Sequence, residues 1–296
     1  MATSTTGSSD ATPWRGIAYL LGALMLLPIM DGLAKALTAR YPVLQVSWGR
    51  FFFALLALLP FARGLTLRAL LLPDQFKLQL ARSMMQVAAV SLFFLTLSYL
   101  PLADSLALAF LYPMITIGLA ALVLGEHVDA RRWATVLVGF IGALVIIRPG
   151  LGVFQPASLF GLTTSFVFAA FIILTRRLAG TAPPAVILIW GTLVGALLTS
   201  VLVPTVWVTP SPADLGIMVA MGVVGAVGHL FMLKAYEFAK ASVLAPLGYA
   251  EMVSAVAVGW IAFGDFPDGP TWIGIAIIVA SGIYLALGAP RPLPRR

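Results

Sequence analysis

Apolar residues run in long stretches, bounded each time by charge, proline or glycine. Ten such stretches can be read: 16–37, 44–62, 78–100, 102–124, 131–148, 157–178, 184–205, 214–238, 241–263 and 270–288. An α-helix needs about 20 apolar residues to cross the hydrocarbon core of a bilayer, so each stretch predicts a transmembrane helix. The segment before them, residues 1–15, is rich in Ser and Thr and is expected to be disordered. Ala34-Lys35-Ala36 fits a small-x-small cleavage site, but the first stretch exceeds the usual leader core of about 7–15 residues and carries Asp31 near its end. It is read as a retained span.

Composition agrees with this pattern. The chain has 296 residues, of which 61% are hydrophobic and 10% charged. A soluble domain averages about 25% charged residues, so this chain cannot coat a water-facing surface. Cysteine is absent, which removes disulfides, thiolate metal sites and cysteine nucleophiles together. The net charge of +7 would suggest nucleic acid in a soluble protein. Here the basic residues fall between apolar stretches, as in loops held against an anionic cytoplasmic leaflet. One alternate set of loops and termini holds Arg15, Arg63, Arg68, Lys77, Arg82, Arg131, Arg132, Arg176, Arg177, Lys234, Lys240, Arg291, Arg295 and Arg296. The other set holds Lys35, Arg40 and Arg148, which puts both termini, including the tail 289–296, in the cytoplasm.

The chain repeats itself. Pro42, Trp48, Gly49, Ala54 and Leu55 recur as Pro184, Trp190, Gly191, Ala196 and Leu197. Phe94, Tyr99 and Ser105 recur as Phe231, Tyr236 and Ser242, and Gly125 and Trp133 as Gly264 and Trp272. The spacings are nearly constant and the matched residues include Trp, Pro and Tyr, beyond what shared apolar composition supplies. Residues 16–148 and 157–288 are therefore read as two five-helix repeats. Five is odd, so the second copy enters the membrane from the opposite side. The expected fold is all-α integral membrane, with ten transmembrane helices in two inverted five-helix repeats. Inverted repeats point to a transporter with its site near the midplane.

Ionisable residues at that depth need a partner or water. Asp31 and Arg50 fall at matching depths and suggest an ion pair, either a structural lock or a cargo contact. Glu251 lies mid-span. It reads as a neutral hydrogen-bonded carboxyl, a ligand for a cargo amine, or a proton carrier. His229 follows Gly222 and Gly225 and reads as a core histidine or a cavity-lining one. Gln86, Tyr99, Tyr112 and Tyr249 add uncharged polar and aromatic groups. These suit a cavity for an organic zwitterion and would equally serve as interhelical glue. Lys234 is the one basic residue considered as a clamp for phosphorylated cargo. Pro113 and Pro246 occupy equivalent places in the fourth and ninth spans and are candidate hinges, though static kinks fit as well.

Trp48-Gly49-Arg50-Phe51, Phe93-Phe94 with Ala103-Asp104-Ser105, and Leu124-Gly125-Glu126 before Trp133 and Gly139 resemble the drug/metabolite transporter superfamily, EamA type. Within it the chain looks most like the YddG-type bacterial amino-acid exporters. The resemblance implies a cavity lined by spans 1, 3, 4, 6, 8 and 9, with spans 5 and 10 peripheral. It also implies export of amino acids, aromatic ones included, or related small metabolites across the bacterial inner membrane. It carries Arg50 and Glu126 as structural or interfacial residues, and the second repeat departs from it with Thr192 and Asp265 at those places. Neither cofactor nor metal is expected, and a monomer is favoured over an oligomer. An integral-membrane enzyme or a channel is the competing class. However, His127 lacks a second histidine four residues on, and no Gly-x-Ser-x-Gly elbow, phosphate loop or filter-like ring is found. Without an ATPase motif, transport would draw on the cargo gradient or a coupled ion.

Overall fold

A computed structural model of the protein describes residues 13–62, 75–124, 128–148, 155–178, 181, 183–239 and 241–287. Most of the expected disordered segment 1–15, the tail 289–296, Glu126 and His127 lie outside the described residues.

The described residues form helices throughout. They are α1 Pro13–Thr38, α2 Val43–Leu58, α3 Phe76–Leu97, α4 Leu102–Ala109, α5 Tyr112–Leu124, α6 Ala130–Ile147, α7 Ser158–Leu178, α8 Pro184–Leu202, α9 Pro212–Phe238, α10 Ala241–Leu244, α11 Glu251–Phe263 and α12 Gly269–Leu287. Turns of 3-10 helix add Leu59–Ala62, Val203–Val206 and Ala245–Ala250. Among the described residues seven stretches are long and apolar enough to cross a membrane. Trp133–Ile147, Leu247–Phe263 and Gly269–Leu285 are shorter apolar helices. A helix satisfies its own backbone, which is what lipid demands of a spanning segment. Leu122, Val201 and Ile261 project outward almost fully exposed. Such side chains would be a liability in water and are at home against lipid.

Two apolar stretches are interrupted. The stretch 102–124 divides into α4 and α5 at Phe110 and Leu111, where the Leu111 N–H bonds back only three residues, to the Leu108 carbonyl. Pro113 stands in the first turn of α5, where its missing N–H costs nothing. The stretch 241–263 divides at the 3-10 turn Ala245–Ala250, which contains Pro246. Both expected hinge prolines thus sit beside helix interruptions.

Packing follows the repeat. Helix α1 runs along α9 as α7 runs along α3, while α2 lies on α9 as α8 lies on α3. The contact of α1 with α11 matches that of α7 with α5, and α2 with α8 and α6 with α12 pair with their own equivalents. Exchanging the halves of the chain therefore maps each of these pairings onto itself or onto another that is observed. The main core fills the middle with Phe94, Leu97, Leu102, Leu108, Leu111 and Met114, all buried.

One end of the bundle is tied across by polar contacts. Lys35 Nζ donates to the Leu100 carbonyl at 2.7 Å and pairs with Asp265 at 3.3 Å. Asp214 accepts from Arg40 at 2.5 Å, from Tyr41 at 2.8 Å and from Ser211 at 2.8 Å. Gln45 exchanges two hydrogen bonds with the Val208 backbone. Arg148 pairs with Asp268. Beside these lies a cavity of about 410 Å³ whose lining includes Asp104, Arg148, Asp265 and Asp268. Gly264 ends α11 at φ 72°, a left-handed cap that favours glycine.

Candidate functional site

Polar groups from α1, α2, α9 and α11 come together at mid-bundle. Arg50 is 6% exposed, and its guanidinium lies over Gly225 of α9. A Cβ on that glycine would stand 2.9 Å from Arg50 Cζ and 2.6 Å from Met30 Sδ. The Gly225 carbonyl lies 2.7 Å from His229 Nδ1, so that nitrogen carries the proton and donates. Arg50 Nη2 stands 3.4 Å from the same nitrogen, which then has no lone pair to offer it. Arg50 Nε is buried without a partner.

Asp31 is also buried, near enough to Arg50 for the two charges to act on each other. Among the described residues no direct ion pair joins them. The charge of Asp31 also reaches Glu251, and that of Glu251 reaches Tyr112. Asp31, Arg50, His229, Glu251 and Tyr112 therefore share one neighbourhood.

Rings continue it. Tyr249 lies 5.4 Å from Phe110 between ring centroids, Phe110 6.2 Å from Tyr112, Tyr112 4.8 Å from Phe168, and Phe168 5.3 Å from Phe171. This ladder crosses from the 3-10 turn through α5 to α7. Tyr249 is buried with its hydroxyl against Gly282 of α12, where no Cβ has room.

At the far end of the ladder Arg82 corrects the sequence reading. Its position suggested a cytoplasmic-loop charge, but it is 5% exposed between α3, α7 and α8. Nε donates to Thr175 Oγ1 at 3.1 Å, and Nη1 to Gln86 Oε1 at 3.3 Å and to the Ile187 carbonyl at 3.2 Å. Cζ sits 4.5 Å above the Phe171 ring. Lys234, the basic residue singled out from sequence, is half exposed and paired with Glu237 at 2.7 Å.

Of the sequence candidates, Gln86, Tyr112, His229, Tyr249 and Glu251 belong to this connected set. Tyr99 stands apart, 61% exposed at the end of α3 beside Phe160. Its repeat mate Tyr236 is also exposed. The site also takes in Arg82, Phe168 and Phe171, beyond the sequence candidates. An arginine at the fifth residue of the span 78–100 was the available signal for the first, whereas phenylalanines in apolar helices carry none. Outside the helices, the Arg148 hydrogen bond and the Thr271 N–H hold the Asp268 carboxyl well below the usual carboxylate range. Among the described residues no group of three His, Cys, Asp or Glu side chains could hold a metal ion.

The arrangement offers buried acids together with Arg50 and His229 at one end of an aromatic ladder and Arg82 at the other, which complements a small zwitterion with an apolar or aromatic body. Comparison with known proteins places the chain. The model of the EamA-like transporter family matches twice, over residues 14–148 and 155–287. The S-adenosylmethionine uptake transporter of Rickettsia prowazekii is 27% identical over 91% of this chain and 92% of its own length. The riboflavin transporter of Vibrio cholerae is 29% identical over 92% of this chain and 93% of its own. The pseudopaline exporter of Pseudomonas aeruginosa is 26% identical over 92% and 95%. A crystal structure of another protein superposes with a TM-score of 0.65 at 19% identity, covering 92% of this chain and 96% of that one, and so shares the fold.

Proposed function

We propose, because this chain belongs to the EamA-like transporter family, that it is a secondary carrier of amino acids and related small zwitterions, moving them out of the cytoplasm across a bacterial inner membrane. Its relatives are bacterial transporters, and the chain is a multi-pass membrane protein. In this reading the seven long apolar stretches and the three shorter apolar helices make ten spans. They form two inverted repeats, 16–148 and 157–288, with both termini cytoplasmic. The exchange symmetry of the helix pairings supports the repeat, and the distribution of Lys and Arg supports the orientation.

One observation carries the cargo class. Asp31 lies close enough to interact with both Arg50 and Glu251, Arg50 stands beside His229, and Tyr112 lies near Glu251 and Tyr249, all in one buried neighbourhood. A zwitterion supplies both charges that such a neighbourhood can pair. In alternating access the halves rock about the interruptions beside Pro113 and Pro246. Tied end-loops such as Lys35 with Leu100 and Asp265 open and close in turn.

Proteoliposomes preloaded with labelled amino acids test this. The expected result is exchange against external amino acid that empty vesicles lack. The relatives' names include uptake as well as export, and both S-adenosylmethionine and riboflavin, so these two compounds belong in the same panel. Movement of either one without any amino acid would overturn the cargo assignment. Net inward movement in cells expressing the carrier would overturn the direction. Equal rates with and without a pH gradient would remove Glu251 and His229 as proton carriers.

A further inference from the structure

We propose that Arg82 is a cargo-binding residue whose guanidinium takes the carboxylate of the transported molecule, in a site that Gln79, Gln86, Phe171, Thr175 and Trp190 complete. This rests on the carrier reading above and deepens it.

A buried cation needs a counter-charge or a full set of acceptors. Arg82 has hydroxyl, amide and carbonyl acceptors, and among the described residues no carboxylate lies within ion-pair distance. Its surroundings hold further polar groups left without partners. Gln79, one turn earlier on the same face of α3, is fully buried with neither amide oxygen nor nitrogen bonded. Trp190 Nε1, on the helix whose Ile187 carbonyl accepts from Arg82, is buried and unpartnered too. Phe76 packs edge-on against Trp190 at 5.7 Å, one turn before Gln79, which brings these groups to one stretch of the α3–α8 interface. Burying such donors and acceptors without partners carries a desolvation cost, which a ligand removes.

The fold itself does not require the charge. Gly191 and Gly49 are repeat mates, and the interface of α2 with α9 mirrors that of α8 with α3. A Cβ at Gly191 would meet Gln86 and Arg82 first, whereas one at Gly49 would meet Met218 and Met221 first. The tryptophans differ in the same sense: the Trp48 indole donates to Ser200 Oγ at 3.0 Å, and that of Trp190 finds nothing. One interface is closed with methionine, and its mirror image keeps unspent hydrogen-bonding capacity around a cation.

The shape of the site favours a carboxylate. The Phe171 ring covers one face of the guanidinium at 4.5 Å, leaving approach in the plane, where Nη2, which makes no hydrogen bond among the described residues, offers its N–H groups to a carboxylate. Gln79 Nε2 and Trp190 Nε1 are further donors. The rings from Phe171 to Tyr249 receive the body of the cargo, and Glu251 lies beyond them for an amine.

Thermal unfolding of the purified full chain in detergent tests the proposal, with benzoate, phenylacetate and phenylalanine set against their neutral amides and against inorganic phosphate. Wild type should be stabilised by the carboxylates and not by the amides. Arg82→Gln should weaken that response about tenfold or more in apparent affinity, as loss of one partner of a buried charge pair implies. Thr175→Val keeps the charge, removes the Nε acceptor and should weaken it several-fold, so it decides the matter if Arg82→Gln does not fold. Amides as effective as carboxylates, a phosphate response exceeding the carboxylate one, or variants indistinguishable from wild type would each overturn the assignment. Carboxylate binding without movement in proteoliposomes would leave the site standing and sink the carrier reading.

Discussion

At Gly225 the missing side chain makes room for a charged one. Alanine there would drive a methyl against Met30 and the Arg50 guanidinium, and overpacking of this kind costs about 1–3 kcal/mol. Gly225→Ala should therefore lower the unfolding temperature and reduce transport together. Gly216, on the same helix, has nothing within 4 Å of an added Cβ. Gly216→Ala should leave transport unchanged and stabilise the protein by about 0.5–1 kcal/mol, the helix-propensity gain alone. Thermal melts of both variants check the pair, and equal effects would contradict the seat described for Arg50. The sequence placed Gly222 and Gly225 ahead of His229 but could not reveal what lay against them. Arg82 shows the same limit: its partners Thr175 and Ile187 lie 93 and 105 residues away along the chain. Counting charges by loop assigns an arginine near a span end to the cytoplasm, although a single turn of depth moves it into the core.

At the scale of the element, the apolar stretches gave helix positions closely because about 20 consecutive apolar residues have few alternative uses. The interruptions were less legible. Pro113 marked a weak point, but it heads α5, and the break lies at Phe110 and Leu111 before it. If that break is the hinge, Pro113→Ala should slow turnover while leaving half-saturation and folding near wild type. A parallel loss of affinity would indicate a static kink that shapes the site. The ends of α6 and α12 are joined by Arg148 and Asp268, with the carboxyl held below its ordinary range. A depressed pKa stabilises above the unfolded value, near 4, and the benefit fades as pH falls from there through the lower folded value. Asp268→Asn should therefore melt earlier than wild type at pH 7, by a small margin since Asp268 is half exposed, and the gap should narrow below about pH 4.

Across the whole molecule, the native absence of cysteine makes orientation directly measurable. Thr209 and Ala130 are exposed in segments that the charge distribution assigns to opposite sides of the membrane. A membrane-impermeant thiol reagent should modify Thr209→Cys in intact cells and Ala130→Cys only after the membrane is opened. The reverse pattern would invert the topology. The repeat was visible in the sequence because Trp, Pro and Gly recur at fixed offsets. The difference between its halves was not, because Met218 and Met221 at one interface and Arg82 at the other stand at positions of α9 and α3 outside the matched residues. The hydroxyl of Tyr249 against Gly282 links that site to a helix otherwise on the rim of the bundle. A side chain at 282 would push the tyrosine toward the rings it faces. Selectivity can therefore drift, in evolution or in the laboratory, through a position that no cargo ever touches.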